Sequence, residues 1–372
     1  MNGSRFLILA QRVLLIGGII YSLLFLISCF SANINPDTFY PATYFAICFP
    51  VLLGGMIFWC FIALYFFKKQ SWIFFLLLLP AINNIRTGIG FNIGNSSEPA
   101  KKTHQIRVLS WNVNEFVYGH YSDTEWETKQ KSMMQFIRES NADMLCFQDF
   151  VPVPYNNDIN VQKYITDSLH YPYFYFSMDG INYGTIIFSR IPIKDSGRVK
   201  YKEKVYPESL AWADVNVQGK PFRVYNTHLR SMYLHQSVIT PATIGYLEFV
   251  KEDTGFLFHS TRLDRLAYFD RIHSTQAKLI KEQLNKTTVP YVFCADLNAV
   301  PASYTYNLLK KDMKDAFLEK GMGLGGTYHR FSPTLRIDVM LTGETIQTER
   351  YYSPSLKLSD HYPILTDLHL GN

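Results

Sequence analysis

Apolar and polar positions divide the chain into two unlike parts. Val13 to Phe30 and Tyr44 to Phe67 carry no charged residue. Each run is long enough to cross a hydrocarbon core about 30 Å thick, which takes roughly 20 helical residues. A third run, Trp72 to Ile82 ("WIFFLLLLPAI"), is shorter and leads into Asn83, Asn84 and Arg86. It is expected to begin a third span, its polar neighbours packing against the other helices or reaching the interface. Beyond the polar stretch Gly94 to Gln105 the pattern changes to short apolar runs: "IRVLSWNV", "MLCFQDF", "GTIIFSRI", "AWADVNV", "FRVYNTHL", "VPYVFCADL", "RIDVMLT" and "HYPILTDL". These read as strands bounded by turn residues. Amphipathic stretches over Glu125–Ser140 and Asp264–Leu284 read as helices. Arg230 to Ser260 is expected to be an irregular excursion at a sheet edge.

The expected organisation is a transmembrane region of two or three helices over 1–93, a linker over 94–105, and an α/β or α+β domain over 106–372. A chain of 372 residues accommodates that division. The first run is read as retained rather than as a cleaved leader, because it is long, lacks a clean small-x-small site and precedes a second span. Arg5 and Arg12 precede the first run, Lys68 and Lys69 follow the second, and the loop between them ("SANINPDTFYPAT") has neither Lys nor Arg. By the positive-inside rule the N-terminus and the Lys68–Lys69 turn lie in the cytoplasm. Three spans then place the rest of the chain outside.

Net charge is a mild +5 with no concentrated basic run, which speaks against a nucleic-acid arm. Three cysteines fall in the apolar runs, and Cys146 and Cys294 sit in strand-like stretches. This pattern suggests neither a disulfide framework nor a zinc site.

Chemistry collects at strand ends. Asn112 and Asn114 share a strand face in "LSWNVNEF"; Gln148 and Asp149 end "MLCFQDF"; Asn226 and His228 share a face in "VYNTHL". Asp296 and Asn298 do the same in "VFCADLNAV", Asp338 lies between apolar residues in "RIDVML", and Asp360–His361 interrupt "LSDHYPI". A hard cation such as Mg²⁺ takes oxygen ligands and keeps several waters, so one or two carboxylates suffice. Asn112, Asp149 and Asp360 supply such oxygens. His228 and His361 suit proton handling near neutral pH, and Asp338 suits holding one imidazole in a fixed tautomer. No nucleophilic Ser or Cys motif stands out, so water is the expected attacker, in a metal-assisted reaction at phosphorus.

The ordered motifs "LSWNVNEF", "FQDF", "GTIIFSRIPI", "YNTHL", "ADLNAVPASYTY", "RIDVML" and "LSDHYPI" resemble the endonuclease/exonuclease/phosphatase superfamily over about Ile106 to Leu370. The segments "SYTYNLL", "KDAF" and "GGTYH", with the hydrophobic N-terminus, resemble a membrane-anchored subgroup of Bacteroidetes type. The resemblance implies a four-layer α/β sandwich, two packed mixed sheets with outer helices. It assigns Asn112, Asp149 and Asp360 to the metal, His361 to water activation or phosphate contact, and Asp338 to orienting His361. Asp296 and Asn298 take the pair that positions nucleophile and phosphate, and His228 matches a second histidine found in some branches. Asn226 is expected to touch substrate with Asn298. Asp149 stands where the family has Glu, and Asn114 where some branches have Asp.

The implied activity is a Mg²⁺-dependent phosphodiesterase, with Mn²⁺ as an alternative ion, in a bacterial inner membrane with its catalytic domain periplasmic. Substrates in view are a lipid headgroup, a small phosphodiester or nucleic acid. The alternatives are a nuclease, an inositol or lipid phosphomonoesterase, and a non-catalytic binding module. No obligate protein partner is expected.

Overall fold

The computed structural model describes residues 2–92, 101–117, 123–153, 160–180, 182–202, 207–234, 239–240, 254–330, 332 and 334–371. Two long helices open the chain, α1 (Asn2–Phe30) and α2 (Ala42–Phe66). Both are long and apolar enough to cross a membrane. They cross closely because glycines face bulky rings: a side chain at Gly18 would run into Trp59, and one at Gly55 into Tyr21. Small residues at such crossings are how apolar helices pack without a hydrophobic driving force between them. Their outer faces carry exposed apolar side chains, Val51, Phe58 and Tyr65 among them.

The third apolar run does not form one spanning helix. It is broken into α3 (Ser71–Leu76), a single turn over Leu79–Ala81 and α4 (Ile82–Gly88). Pro80 accounts for the break, since it has no N–H to donate and its ring crowds the preceding turn. The segment nevertheless retraces the length of the pair. Phe74 packs edge-on against Trp59, and Asn84 Nδ2 donates to the carbonyls of Ser28 and Cys29 at the end of α1, at 3.2 and 3.1 Å.

The remainder is a sandwich. Strand β1 (Gly90–Phe91) precedes β2 (Ile106–Asn112), β3 (Met144–Phe150), β4 (Tyr173–Met178), β5 (Gly184–Ser189), β6 (Ile193–Lys200), β7 (Ser209–Val217) and β8 (Lys220–His228). Then follow β9 (Tyr291–Asp296), β10 (Lys314–Asp315), β11 (Met322–Gly323), β12 (Asp338–Thr342), β13 (Ile346–Tyr352) and β14 (Ile364–Leu370). One six-stranded sheet has the order β13-β14-β2-β3-β5-β4, the other β10-β12-β9-β8-β7-β6. Each contains one parallel pair, β2–β3 and β8–β9, in an otherwise antiparallel sheet. Val108, Met144 and Ile187 of the first sheet pack against Val224, Val292 and Met340 of the second. Helix α5 (Asp123–Ser140) covers one outer face through Met133 and Ile137. The helix Arg262–Asn285 covers the other through Ala277, Ile280 and Leu284. The expected sandwich is therefore present.

Among the strands that the apolar pattern passed over, β4, β6, β10 and β13 are the edges of the two six-stranded sheets. An edge strand has fewer neighbours to bury it; β6 ("IKDSGRVK") has no fully buried residue.

The apolar helices are not joined to the sandwich by a linker alone. Strand β1, ahead of the polar stretch, pairs with β11. Ser31 Oγ donates to the Ala302 carbonyl at 2.9 Å, and Asn307 Nδ2 to the Ala32 carbonyl at 3.0 Å. Asp37 faces Lys278 and Arg271. Buried Arg336 pairs with Asp315 at 2.6 Å and donates to the Thr87 carbonyl at 2.7 Å. Thr43 Oγ1 donates to Asp270 on the helix Arg262–Asn285. The 31–43 loop and the end of α4 thus meet the sandwich, while Lys68 and Lys69 lie at the opposite end of α2.

Burial first, and the nearby Asp37 next, push the Asp270 carboxyl up to about 6 despite the Thr43 hydroxyl. A carboxyl whose pKa is higher folded than unfolded favours folding while protonated. That contribution is present below about pH 4 and lost as pH rises through about 6. Asp270→Asn should therefore raise the melting temperature at pH 7.5 and lose its advantage at pH 4, as thermal unfolding of the detergent-solubilised chain would show.

Candidate active site

The C-terminal ends of the two parallel pairs converge at one end of the sandwich. Parallel pairing sends both strands of each pair to the same end, which is why Asn112, Asp149, His228 and Asp296 meet there. Three residues at these ends adopt the left-handed region, Asn114 (φ 45°), Asp149 (φ 49°) and Asn298 (φ 46°). Non-glycine residues rarely rest there, and short polar side chains tolerate it best. At Asp149 the departure coincides with a register shift between Phe147 and Phe150, a bulge that turns its carboxylate towards the cleft. In two of these turns a side chain locks the backbone: Asn112 Oδ1 accepts from Asn114 N–H and Asp296 Oδ1 from Asn298 N–H.

Asp296 is the meeting point. It is buried, and Asn112 Nδ2 donates to its Oδ2 at 3.0 Å from the other sheet. The same Oδ2 lies 3.6 Å from His228 Nε2 and 3.7 Å from His361 Nε2. Asp338 Oδ2 accepts from His361 Nδ1 at 2.9 Å, which leaves Nε2 facing Asp296. Trp111 Nε1 holds the His361 carbonyl, and Tyr328 packs against the imidazole. His228 Nδ1 lies 3.1 Å from Asp149 Oδ1 and 3.7 Å from Glu208 Oε1. Asn298 Nδ2 reaches His228 Nε2 at 3.0 Å and the Leu229 carbonyl at 2.9 Å.

These contacts set the charges. Burial would lower the His361 pKa, but Asp338 and then Asp296 push it up to about 10. Burial likewise opposes charge on His228, yet Asp149, Glu208 and Asp296 raise it to about 9. Burial and the neighbouring Asp338 raise Asp296 to about 6, against the pull of both imidazoles and Asn112. The carboxylates thus favour protonation of both imidazoles, and burial with Asp338 makes Asp296 a stronger base than an ordinary carboxylate.

The placement treats the expected residues differently. Asn226 is expected to touch substrate, but its amide is buried between the sheets and fully used. It donates to the Phe147 and Ile186 carbonyls and accepts from Gln148 Nε2 at 2.7 Å. It is a tie beneath the site. Asn112 presents its NH₂ to Asp149 and Asp296, so it enters as a donor to carboxylates and not as an oxygen facing an ion. Asp360 sits at the rim, next to Ser359, whose Oγ donates to the Asn112 carbonyl at 2.8 Å and lies 3.2 Å from Asp360 Oδ1. Arg330 lies 3.8 Å from the other Asp360 oxygen. Of the Arg230–Ser260 excursion, 235–238 and 241–253 lie outside the described residues, and Thr254–His259 is helical.

Three contributors went unread in the sequence. Tyr183 donates to Asp149, Glu208 faces His228, and Tyr328 covers His361. Tyr183 directly precedes the "GTIIFSRI" strand and Glu208 directly precedes β7, so proximity to a strand end was the available signal.

Carboxylates dominate the donors. Ligand atoms of Asp296, Asp338 and His361 lie within 4.8 Å of one another, all buried. The Asp338–His361 hydrogen bond joins two of these residues, while Asp149, which takes contacts from Asn112, Tyr183 and His228, and Asp360 each keep part of the side chain exposed. A donor set dominated by carboxylate oxygens is of the kind a hard divalent cation takes. Among the described residues, no thiolate joins these donors.

A fold of two packed mixed sheets with these groups at one end defines a phosphoesterase class. The family model described as "Endonuclease/Exonuclease/phosphatase family" matches residues 109–361, and the chain belongs to that family. Its members are hydrolases of phosphoester bonds and are generally divalent-metal dependent. A second model, described as a domain of unknown function, matches residues 11–88. Similar solved structures include an endonuclease/exonuclease/phosphatase from Beutenbergia cavernae (18% identity, TM-score 0.52, covering 72% of each chain). The human Nocturnin catalytic domain with bound sulfate is also similar (17%, TM-score 0.51, 72% of this chain and 94% of that one). So is a humanised D. rerio TDP2 (14%, TM-score 0.50, 72% and 99%). No curated protein matches the chain.

His361→Ala should lower kcat by at least ~100-fold with the fold retained, the scale of a proton-handling group. Circular dichroism and turnover of the same preparation check this. Asp149→Ala should abolish the response to added Mg²⁺, whereas Asp149→Glu should keep it at a shifted half-saturation. A Mg²⁺ titration of both variants separates a ligand from a purely structural carboxylate, for which both would fail alike.

Proposed function

We propose that this chain is a membrane-anchored, Mg²⁺-dependent phosphodiesterase that cleaves its substrate by attack of water on phosphorus. The observation that carries the reading is Asp296 held between His228 and His361, each imidazole also facing a second carboxylate. Asp149 and Asp360 would hold the ion, with Mn²⁺ as an alternative. When bound, it supplies Lewis-acid polarisation of a phosphoryl oxygen.

The chain's own groups account for the proton steps. Asp296, with its raised pKa, takes a proton from the attacking water as the new P–O bond forms. His228 and His361, each raised in pKa by neighbouring carboxylates, would offset the negative charge that grows on the phosphoryl oxygens. As the P–O bond to the leaving group breaks, an imidazolium gives that oxygen its proton, and Asp338 holds His361 in the tautomer this requires. Asn298 fixes His228 and keeps an amide at the cleft.

Charge placement supports an inner-membrane protein with its catalytic domain periplasmic. Lys68 and Lys69 lie at the end of α2 remote from the sandwich, and the 31–43 loop beside the sandwich has no Lys or Arg. The retracing of α1 and α2 by the broken third segment supports the same sidedness.

The activity test is hydrolysis of phosphodiesters, phospholipids, nucleic acids and phosphomonoesters, with Mg²⁺ and with EDTA. Diester cleavage that EDTA abolishes and His361→Ala removes is the expected result; cleavage of monoesters alone overturns the diesterase assignment. Sidedness is tested by fusion. Alkaline phosphatase joined after Asn372 should be active, and joined after Lys69 inactive; the reverse pattern places the site in the cytoplasm.

A further inference from the structure

The loops that carry the catalytic residues are the same loops that pack on the apolar helices. From Asn298 the chain runs to Val300 and Ala302, which join an apolar cluster with Phe25 and Cys29 of α1 and Ala46 and Phe49 of α2. Two residues span at most ~7 Å, so Asn298 lies within about that distance of side-chain contact with these helices. From His228 the chain runs to Met232 and Tyr233, which pack in a cluster with Tyr44 and Ile47 of α2. Ser31 pins the Ala302 carbonyl from one side, and Asn307 holds Ala32 from the other. The end of the sandwich that bears the site therefore faces the helices, and the opposite end faces away.

The surface around this junction suits an interface. Phe39 and Tyr40 in the α1–α2 loop are 45% and 54% exposed, and Leu263 and Tyr268 on the helix Arg262–Asn285 are 61% and 39% exposed. The Tyr44 hydroxyl donates to the Leu263 carbonyl, which places these groups at one level. Aromatic and apolar side chains in such a ring sit at the headgroup level of a bilayer. The headgroup zone on each side of the hydrocarbon core is about 5–8 Å deep, which is comparable with the reach from Asn298 to Val300.

We propose that the substrate is a phosphodiester lipid of the leaflet into which the sandwich end of α1 and α2 emerges, taken from the bilayer surface without leaving it. The inference rests on the phosphodiesterase reading and adds the physical state of the substrate. It also accounts for how a site with a mild overall charge collects a phosphate ester. A lipid confined to the same surface as the site is presented at a high effective concentration, so little binding energy is required of a basic cluster.

The test uses the full chain reconstituted in vesicles of phosphatidylethanolamine and phosphatidylglycerol with Mg²⁺. Loss of intact lipid, with its headgroup released free or phosphorylated, is compared with cleavage of dihexanoyl forms of both lipids below their micellar concentration, and of bis(p-nitrophenyl) phosphate. Vesicle lipid should be cleaved at least ~10-fold faster than the dihexanoyl forms at equal bulk phosphate. The double variant Phe39→Ser, Leu263→Ser should slow vesicle cleavage several-fold and leave the dihexanoyl rate unchanged. Cleavage of the soluble diesters at rates equal to or above those of vesicle lipid overturns the inference and leaves the diesterase reading standing. Absence of cleavage of every diester, or cleavage unaffected by His361→Ala, overturns that reading and this inference with it.

Discussion

A carboxylate buried where two sheets meet must be compensated, and Asp296 imposes that requirement on the whole site. Ionised and alone, such a group would be costly enough to protonate or to disrupt the packing around it. Here compensation arrives from both sheets: Asn112 from β2, His228 from β8, and His361 from the segment ahead of β14. Each compensating group then needs its own partner, and Asp338 and Asp149 supply it. The chain of dependence ties the two sheets together at one end. Below it, the Gln148–Asn226 amide pair repeats the tie in neutral form. The geometry of the candidate site and sheet-to-sheet registration are thus set by the same contacts.

The legible part of this arrangement was what local pattern determines. Central strands announced themselves as apolar runs because both of their faces are covered, as in β5, where every residue is buried. The site residues were visible because they end such runs. Edge strands were lost for the converse reason, although the aromatic content of β4 ("YFYFSM") was a signal that strand propensity could have used. Asn226 shows the limit of face arguments. It shares a strand face with His228, but one lies a pair of residues deeper, between sheets, and depth is not written in alternation. Tyr183 and Glu208 depend on which loops face each other across the cleft, a long-range property.

The N-terminal region shows a similar division. Composition marked two helices, and the structure supplies two. The third run was marked as apolar, but its break follows from Pro80, and its course follows from Asn84 reaching the end of α1. Polar side chains in such a place find partners on neighbouring helices or remain unsatisfied. Here the partners are the last carbonyls of α1, which a helix end leaves unpaired. Asn84 thus closes a helix end and fixes the chain's return in one contact.

The substitution of Asp149 for the family's Glu acquires a physical context from these contacts. A carboxylate shorter by one methylene is carried by backbone in the left-handed region at a bulge, so local conformation, and not side-chain length, sets its position. There it accepts from Asn112 and Tyr183 and faces His228. The short carboxylate lies beside the imidazole, 3.1 Å from Nδ1. The histidine and the short carboxylate therefore belong together. Asp149, with Glu208 and Asp296, is what raises the His228 pKa against its burial. The position that looked like a departure from the family pattern is, in this chain, one half of a pair whose other half is the second histidine.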